Sequence, residues 1–306
     1  MSSLQIADHD ISDCTGKTVL ISAPHDTGGC SGIGFSAGKL FAAHGARVLL
    51  LDRNPPAEPL NSSRLEYFPC DVTSWSDLLA AFQHAGRVDV AVANAGVSEE
   101  ADYFADTFDE AGALVEPAYG VLDVNLRGVL NFTKLAISSM RRLHVSGSIV
   151  ITSSATAYSP EHSLPVYSAA KLALVGLIRA LRSSLPKDDI TINAVAPAAT
   201  ITSLLPLHLA NPIIAAGLPV RSSDFVGLAV VYSAVASEPR KVEPYGKDSD
   251  DWVGTPGRWN GRVILTLGDR YTELEGPLAA LREKWFGEEN NRLTRQQQIA
   301  TDFRLD

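Results

Sequence analysis

The chain has 306 residues, 45% hydrophobic and 20% charged, the make-up of a globular protein able to bury a sizeable core in one large or two small domains. A formal charge of −9 at pH 7 argues against a nucleic-acid partner or an anionic membrane surface. Cys14, Cys30 and Cys70 are too scattered for a disulfide framework or a zinc site, residues 1–13 are polar, and no run approaches the ~20 apolar residues that span a bilayer, so a soluble, cytoplasmic protein is expected.

Residues 17–22 (Lys-Thr-Val-Leu-Ile-Ser) read as a first strand. A glycine-rich turn over 27–34 follows, then an alanine-rich helix over 35–44 and a second strand over 46–52 that closes on Asp52. Strand, glycine loop, helix, strand and acid is the order of a dinucleotide site. The glycines let backbone approach a pyrophosphate at a helix N-terminus, and Asp52 stands where a carboxylate accepts hydrogen bonds from a ribose.

A third strand over 65–72 carries Asp71 and Val72 at its end, and a helix over 75–85 follows it. The fourth strand, 88–94, runs into Asn94, Ala95 and Gly96, small enough for a flat ligand to approach, although a plain tight turn explains them equally. A long helix over 121–143 carries Asn125 early and a basic finish that suits a helix C-terminus. The short β-branched run 147–154 reads as a buried parallel strand tipped by Ser154.

Residues 167–185 then read as a helix, which places Tyr167 and Lys171 on one face. An ammonium beside a phenol favours tyrosinate and pulls its pKa below about 10, which makes the tyrosine usable as an acid or base. Taken alone, this spacing occurs by chance in many surface helices. A sixth strand over 190–197 stops at Pro197, an apolar, proline-punctuated segment covers 199–220, a helix covers 223–237 and a seventh strand 261–268. Residues 237–260 read as an exposed loop and the tail from 284 as loosely attached. The expectation is an α/β fold: a doubly wound parallel sheet (Rossmann fold) of about seven strands with helices on both faces. An N-terminal extension (1–14) precedes a single domain (15–282) and a polar tail (283–306).

In combination these motifs resemble the short-chain dehydrogenase/reductase family over about residues 15–270. The resemblance implies a catalytic tetrad of Asn125, Ser154, Tyr167 and Lys171. Tyr167 would exchange the proton, Ser154 would bond the carbonyl oxygen, Lys171 would hold the nicotinamide ribose, and Asn125 would bind a relay water. It also implies cofactor contacts at Gly28, Ser31, Gly32, Ile33 and Gly34 in the loop, at Asp52 and Arg53, at Asp71 and Val72, at Asn94, Ala95 and Gly96, and at Pro197, Thr200 and Thr202, besides Tyr167 and Lys171.

NAD is the expected cofactor because Asp52 would oppose a 2′-phosphate, with NADP as the alternative because Arg53 stands beside it. No metal is expected, since the histidines are dispersed. The expected partner is a small-molecule alcohol or ketone, apolar and fairly bulky, under a lid at 199–218, with an oligomer interface as that segment's alternative role. A homodimer or homotetramer is expected to pair through Val129, Phe132, Leu174 and Ile178. Two departures from the family pattern are an insertion at residues 23–26 before the loop and Ala198 where glycine usually follows Pro197. The competing reading is a cofactor-binding protein of the same fold with repurposed chemistry, as sensor, scaffold or cyclase. A methyltransferase would give no reason for Tyr167 and Lys171.

Overall fold

Short β-branched runs that are apolar at every position cannot leave either face in water, so they settle in the middle of a sheet covered on both sides. The computed structural model describes residues 2–23, 32–56 and 59–304. Its elements are β1 (Ser2–Leu4), β2 (Thr18–Ser22), α1 (Gly32–Ala43), β3 (Arg47–Asp52), β4 (Leu65–Pro69), α2 (Trp75–Ala85) and β5 (Val90–Ala93). After an irregular stretch come α3 (Gly120–Leu122), a π turn (Asp123–Gly128), α4 (Val129–Arg142), β6 (Gly147–Thr152), α5 (Pro165–Leu181) and β7 (Ile190–Pro197). Next are β8 (Thr200–Ile201), α6 (Leu207–Ala215), β9 (Arg221–Ser222), α7 (Ser223–Val235), β10 (Ser237–Glu238) and α8 (Asp250–Val253). The chain finishes with β11 (Gly257–Arg258), β12 (Val263–Leu267), β13 (Arg270–Glu273), α9 (Glu275–Ala280), α10 (Arg282–Phe286) and α11 (Glu288–Ala300).

The main sheet runs β1-β13-β12-β7-β6-β5-β2-β3-β4. The stretch from β12 to β4 is parallel and corresponds to the seven expected strands. Among the described residues the sheet has nine, because β12 turns back into β13 and β1 pairs with it, both antiparallel. The turn is Gly268-Asp269, with Gly268 at φ 61°, a conformation glycine adopts without penalty. Neither added strand carries an apolar run, so neither announces itself in the sequence.

Side chains alternate along the inner strands with both faces apolar. Leu20, Leu49, Leu51, Ile149 and Ile151 join the core under α4 and α5, while Val19, Ile21, Val48, Leu50 and Val150 join the core under α1 and α7. Val129, Phe132, Leu174 and Ile178, expected on an outer pairing face, lie instead in the first of these cores and are essentially inaccessible. They form the stripe that every sheet-covering helix must bury. Leu130 and Leu172 are the exposed leucines of these two helices.

Residues 237–260 are not simply an exposed loop, for Glu238, Val242, Trp259 and Asn260 are buried. Glu238 is buried and accepts from Arg262 Nε at 2.8 Å. Nor is the tail loose. Asp302 is buried and accepts from the Lys247 amide at 2.8 Å, and Arg304 bonds Asp248 Oδ1 at 3.0 Å and the Tyr245 carbonyl at 2.8 Å.

Against α5, buried Glu275 accepts from Arg179 Nε at 2.7 Å, from Arg182 Nη1 at 3.2 Å and from the Tyr158 hydroxyl at 2.8 Å. Burial pushes the Glu275 carboxyl up, but these partners hold it below the ordinary carboxylate value.

Helices α1 and α7 pack closely through a glycine. A Cβ at Gly227 would lie 2.9 Å from the Ala37 amide nitrogen and 3.0 Å from Ser36 Cβ. Alanine gains up to about 1 kcal/mol over glycine in a helix interior, whereas overpacking a tight contact costs about 1–3 kcal/mol. At Gly227 overpacking wins, and Gly227→Ala is expected to lower the denaturant midpoint. Gly176, exposed in α5 with nothing within 4 Å of its virtual Cβ, is the control. Gly176→Ala is expected to raise the midpoint, and equal shifts from the two variants would refute the packing account.

Candidate active site

The strand order reverses at β2, which has β3 on one side and β5 on the other. Helix α1, which follows β2, and α4, which follows β5, therefore cover opposite faces of the sheet and open a crevice at the strands' carboxyl ends. The crevice is pinned from beneath by Ser22. Its Oγ accepts from the Asn94 and Ala95 amides at 3.0 and 3.1 Å, so the turn after β5 is tied to the tip of β2. Asn94 Oδ1 accepts from Thr152 Oγ1 at 2.9 Å, which ties the same turn to β6.

Gly34 packs on this turn, where a Cβ would lie 2.7 Å from Asn94 Nδ2. Gly32 opens α1 at φ 67°. Gly28 and Ser31 lie outside the described residues, as do Cys30 and residues 24–26 of the insertion.

Helix α5 crosses the tip of β6. Lys171 is 2% exposed, and its Nζ donates to the Thr152 carbonyl at 2.9 Å. Ser153 Oγ donates to the Lys171 carbonyl at 3.0 Å. Burial pulls the lysine down to about 8. Tyr167 is one turn earlier, half-buried, with Lys171 Nζ 5.5 Å from its ring centroid. Burial pushes the phenol up, and a hydrogen bond with Ser154 works in the opposite direction. The expectation that the ammonium sets the phenol below its ordinary value is thus reversed in this structure. Nζ sits beside the ring and is bonded to a carbonyl, so withdrawal from water dominates both groups.

Ser154 is buried at the start of a short 3-10 turn and accepts from the Thr156 amide at 3.2 Å. Asn125 is wholly buried in the π turn. Its Nδ2 donates to the Val97 carbonyl and its Oδ1 accepts from the Val97 amide, both at 2.8 Å. The side-chain amide expected to hold a water is engaged by backbone. A Cβ at Gly96 would lie 3.2 Å from Asn125 Oδ1, close enough that the amide would have to give by a few tenths of an ångström, and 3.4 Å from Lys171 Nζ, an ordinary contact.

At the other end of the crevice Asp52 is 2% exposed and closes β3, with its Oδ1 accepting from the Asn54 amide at 3.1 Å. Arg53 approaches Asp71, Nε to Oδ2 at 3.9 Å. Asp71 Oδ1 accepts from the Thr73 amide and hydroxyl at 2.8 and 2.7 Å. Val72 is buried, and the π turn passes close enough that a Cβ at Gly128 would lie 3.1 Å from its carbonyl oxygen.

Two cavities meet here. One of about 780 Å³ is lined by Gly32, Ile33, Asn94, Gly96, Ser154, Tyr167, Lys171, Pro197, Thr200 and Thr202 from the expected set. Leu164, Leu204, Leu205, Ile213 and Leu267 complete its apolar wall. The segment carrying the leucines is closed at its base, where Thr200 pairs with Arg221 and Ile201 with Ser222.

The second cavity, of about 700 Å³, is lined by Arg53 and Asp71 together with Val97, Glu99, Tyr103 and Val124. Ser98 borders both. Sequence reasoning missed Ser22 and Glu99. Their partners stand 72 and 68 residues away, so no local spacing reveals them.

The pattern of the short chain dehydrogenase family matches residues 19–208. The chain belongs to the short-chain dehydrogenase/reductase family. Its relatives include the short-chain dehydrogenase/reductase prx4 of Penicillium rubens, 58% identical over 304 residues that make up 99% of this chain and 90% of that protein. The short-chain dehydrogenase/reductase ATR7 of Stachybotrys chlorohalonatus is 48% identical over 307 residues, 99% of this chain and 95% of its own length. The structure of a 3-ketoacyl-(acyl-carrier-protein) reductase from Brucella melitensis complexed with NADH shares the fold, with a TM-score of 0.61 at 23% identity over 83% of this chain and 97% of that one. As a family member the protein is an oxidoreductase with an NAD(P)-binding fold. Relatives that cover nearly the whole chain extend the kinship past residue 208 to the paired tail.

The lysine's depressed pKa has a thermodynamic sign. Below about pH 8 Lys171 is charged folded and unfolded, and the cost of burying that charge is fully present. Between about 8 and the ordinary lysine value of 10.5 the unfolded chain binds the extra proton, so stability rises with pH. Relative to Lys171→Met, the wild-type unfolding free energy is expected to climb by about 2–3 kcal/mol from pH 7.5 to 10.5, since each pH unit across that window contributes up to about 1.36 kcal/mol. Chemical denaturation of the two proteins across that range checks it, and a flat difference would refute the buried ammonium.

Proposed function

We propose that this enzyme transfers a hydride between a nicotinamide cofactor and a secondary alcohol or ketone on an apolar, fairly bulky substrate, with Tyr167 as general acid/base. The observation that carries the reading is that Ser154, Tyr167 and Lys171 share one cavity wall with Gly32, Asn94 and Gly96. The residues present fit a dinucleotide. Small residues line the approach from both sides, and a second cavity beside Arg53 and Asp71 continues past Ser98 with room for an adenine end.

The nicotinamide, when bound, supplies or accepts the hydride. Ser154 Oγ donates to the carbonyl oxygen, where negative charge develops during reduction. Tyr167 Oη gives that oxygen its proton in reduction and takes it back in oxidation. A phenol is protonated near neutral pH even at its ordinary value, and burial moves it further that way, so the tyrosine carries the proton that ketone reduction needs. Lys171, fixed by the Thr152 carbonyl, holds a cationic donor beside the phenol and the ribose position. Asn125 keeps the Val97 backbone in place. Leu204, Leu205 and Ile213 favour an apolar substrate body over a charged one.

Tyr167→Phe is expected to lower turnover by about 10²–10⁴-fold while NADH affinity stays within a few-fold, because the hydroxyl moves the proton and anchors no phosphate. Steady-state rates on a ketone panel with NADH and NADPH, paired with cofactor titration, measure both. Near-normal turnover in the variant would sink the assignment.

NAD(H) is the preferred cofactor in this proposal. Asp52, buried at the tip of β3, is placed for ribose hydroxyls. A 2′-phosphate about 4 Å away would meet repulsion of roughly 4 kcal/mol at an effective dielectric near 20. Arg53, the group that could compensate, already faces Asp71. NADH is therefore expected to bind more tightly than NADPH when both dissociation constants are measured at one ionic strength, and the opposite order would overturn the choice.

A further inference from the structure

Helix α5 begins without a local cap. Its N-cap, Leu164, makes no side-chain cap hydrogen bond, Pro165 has no amide hydrogen, and the first amide to bond back is Ser168, to the Leu164 carbonyl at 2.9 Å. The Val166 and Tyr167 amides therefore have no partner within the helix. Glu99 takes the second of them: its Oε2 accepts from the Tyr167 amide at 2.8 Å.

Two residues before Glu99, Val97 is clamped by both atoms of the Asn125 amide. The strap from Gly96 to Glu99 is thus held against the π turn at one end and against the backbone of Tyr167 at the other.

A serine or aspartate at position 164 would cap this helix for about 1 kcal/mol. The chain instead brings a carboxylate from 68 residues away. The other oxygen, Oε1, is buried with no hydrogen-bond partner among the described residues. Leaving a buried acceptor unsatisfied costs about 1–3 kcal/mol, so stability alone gives no reason for the arrangement. What it gains is position. Lys171 is anchored one turn further on by the Thr152 carbonyl, but among the described residues the turn bearing the phenol has only Glu99 to hold its backbone from outside the helix.

We propose that Glu99 is a positioning residue, setting the first turn of α5 so that Tyr167 Oη stands at the reacting oxygen. The proposal rests on the reading of Tyr167 as acid/base. Misplacing a reacting group by about 1 Å can cost 10²-fold.

The test uses Glu99→Gln, Glu99→Asp and Glu99→Ala in the 306-residue chain. Glutamine keeps an acceptor at the same reach, aspartate keeps the charge but is one methylene short, and alanine keeps neither. Turnover is expected within about three-fold of wild type for Gln, and about 10- to 100-fold lower for Asp and Ala. Turnover of Asp and Ala should fall by about ten-fold more than their NADH affinity does, a split between turnover and cofactor binding that lost stability would not produce. Hydrogen exchange at the Tyr167 amide, read without substrate, should be slow in wild type and Gln and fast in Ala.

Wild-type turnover in Ala or Asp, equal losses in Gln and Asp, or an unchanged Tyr167 amide in Ala would each overturn the proposal. If Ala does not fold, Gln against Asp decides. If the wild type reduces no ketone in the panel, the functional reading fails separately, and amide exchange still decides whether Glu99 holds Tyr167.

Discussion

The bond from Lys171 Nζ to the Thr152 carbonyl governs the working end of this molecule. A buried ammonium must find acceptors, and Lys171 finds one in the carbonyl of the last residue of β6. That requirement docks α5 onto the tip of β6 in a single register. Ser153 reinforces the docking through the Lys171 carbonyl, and Asn94 extends it to β5 through Thr152. Ser22 then carries it to β2. One desolvated charge thus aligns the ends of adjacent strands, and the cavity between them follows from that alignment.

The far side of α5 is held by a different device. Glu275, delivered by the antiparallel turn-back of the sheet, receives Arg179 and Arg182 from the helix and Tyr158 from the segment after Ser154. The carboxyl-terminal third therefore braces the helix that carries the tyrosine, and β13, which carries no apolar run, earns its place by where it ends.

The fold's centre was legible because parallel strands buried on both faces must be apolar throughout, and helices over them must carry an apolar stripe. Tyr167, Lys171, Ser154 and the Asn94 turn were legible for the same reason: each sits at a fixed offset from an element that composition reveals. The edge was not. β1 and β13 are short and polar, and residues 237–260 look solvated until Glu238 is seen against Arg262. Val129 on α4 and Leu174 on α5 stood out as apolar, but nothing local in the sequence says that the sheet, not a second subunit, lies beneath them. Ser22 and Glu99 act through contacts whose partners are distant in sequence, and only the assembled strand ends bring them into reach.

The small parallel clasp between β8 and β9 makes residues 202–220 a closed excursion, fixed at its base and free of the main sheet's ladder. Its interior sequence contributes leucines to the cavity wall and nothing to the pinning of β2, β5 and β6. Changes of side chain in this loop can therefore alter the apolar character of the cavity wall one residue at a time and leave Ser154, Tyr167 and Lys171 where they are. Under the proposed function, what the pocket recognises is structurally separate from the groups that would act on it.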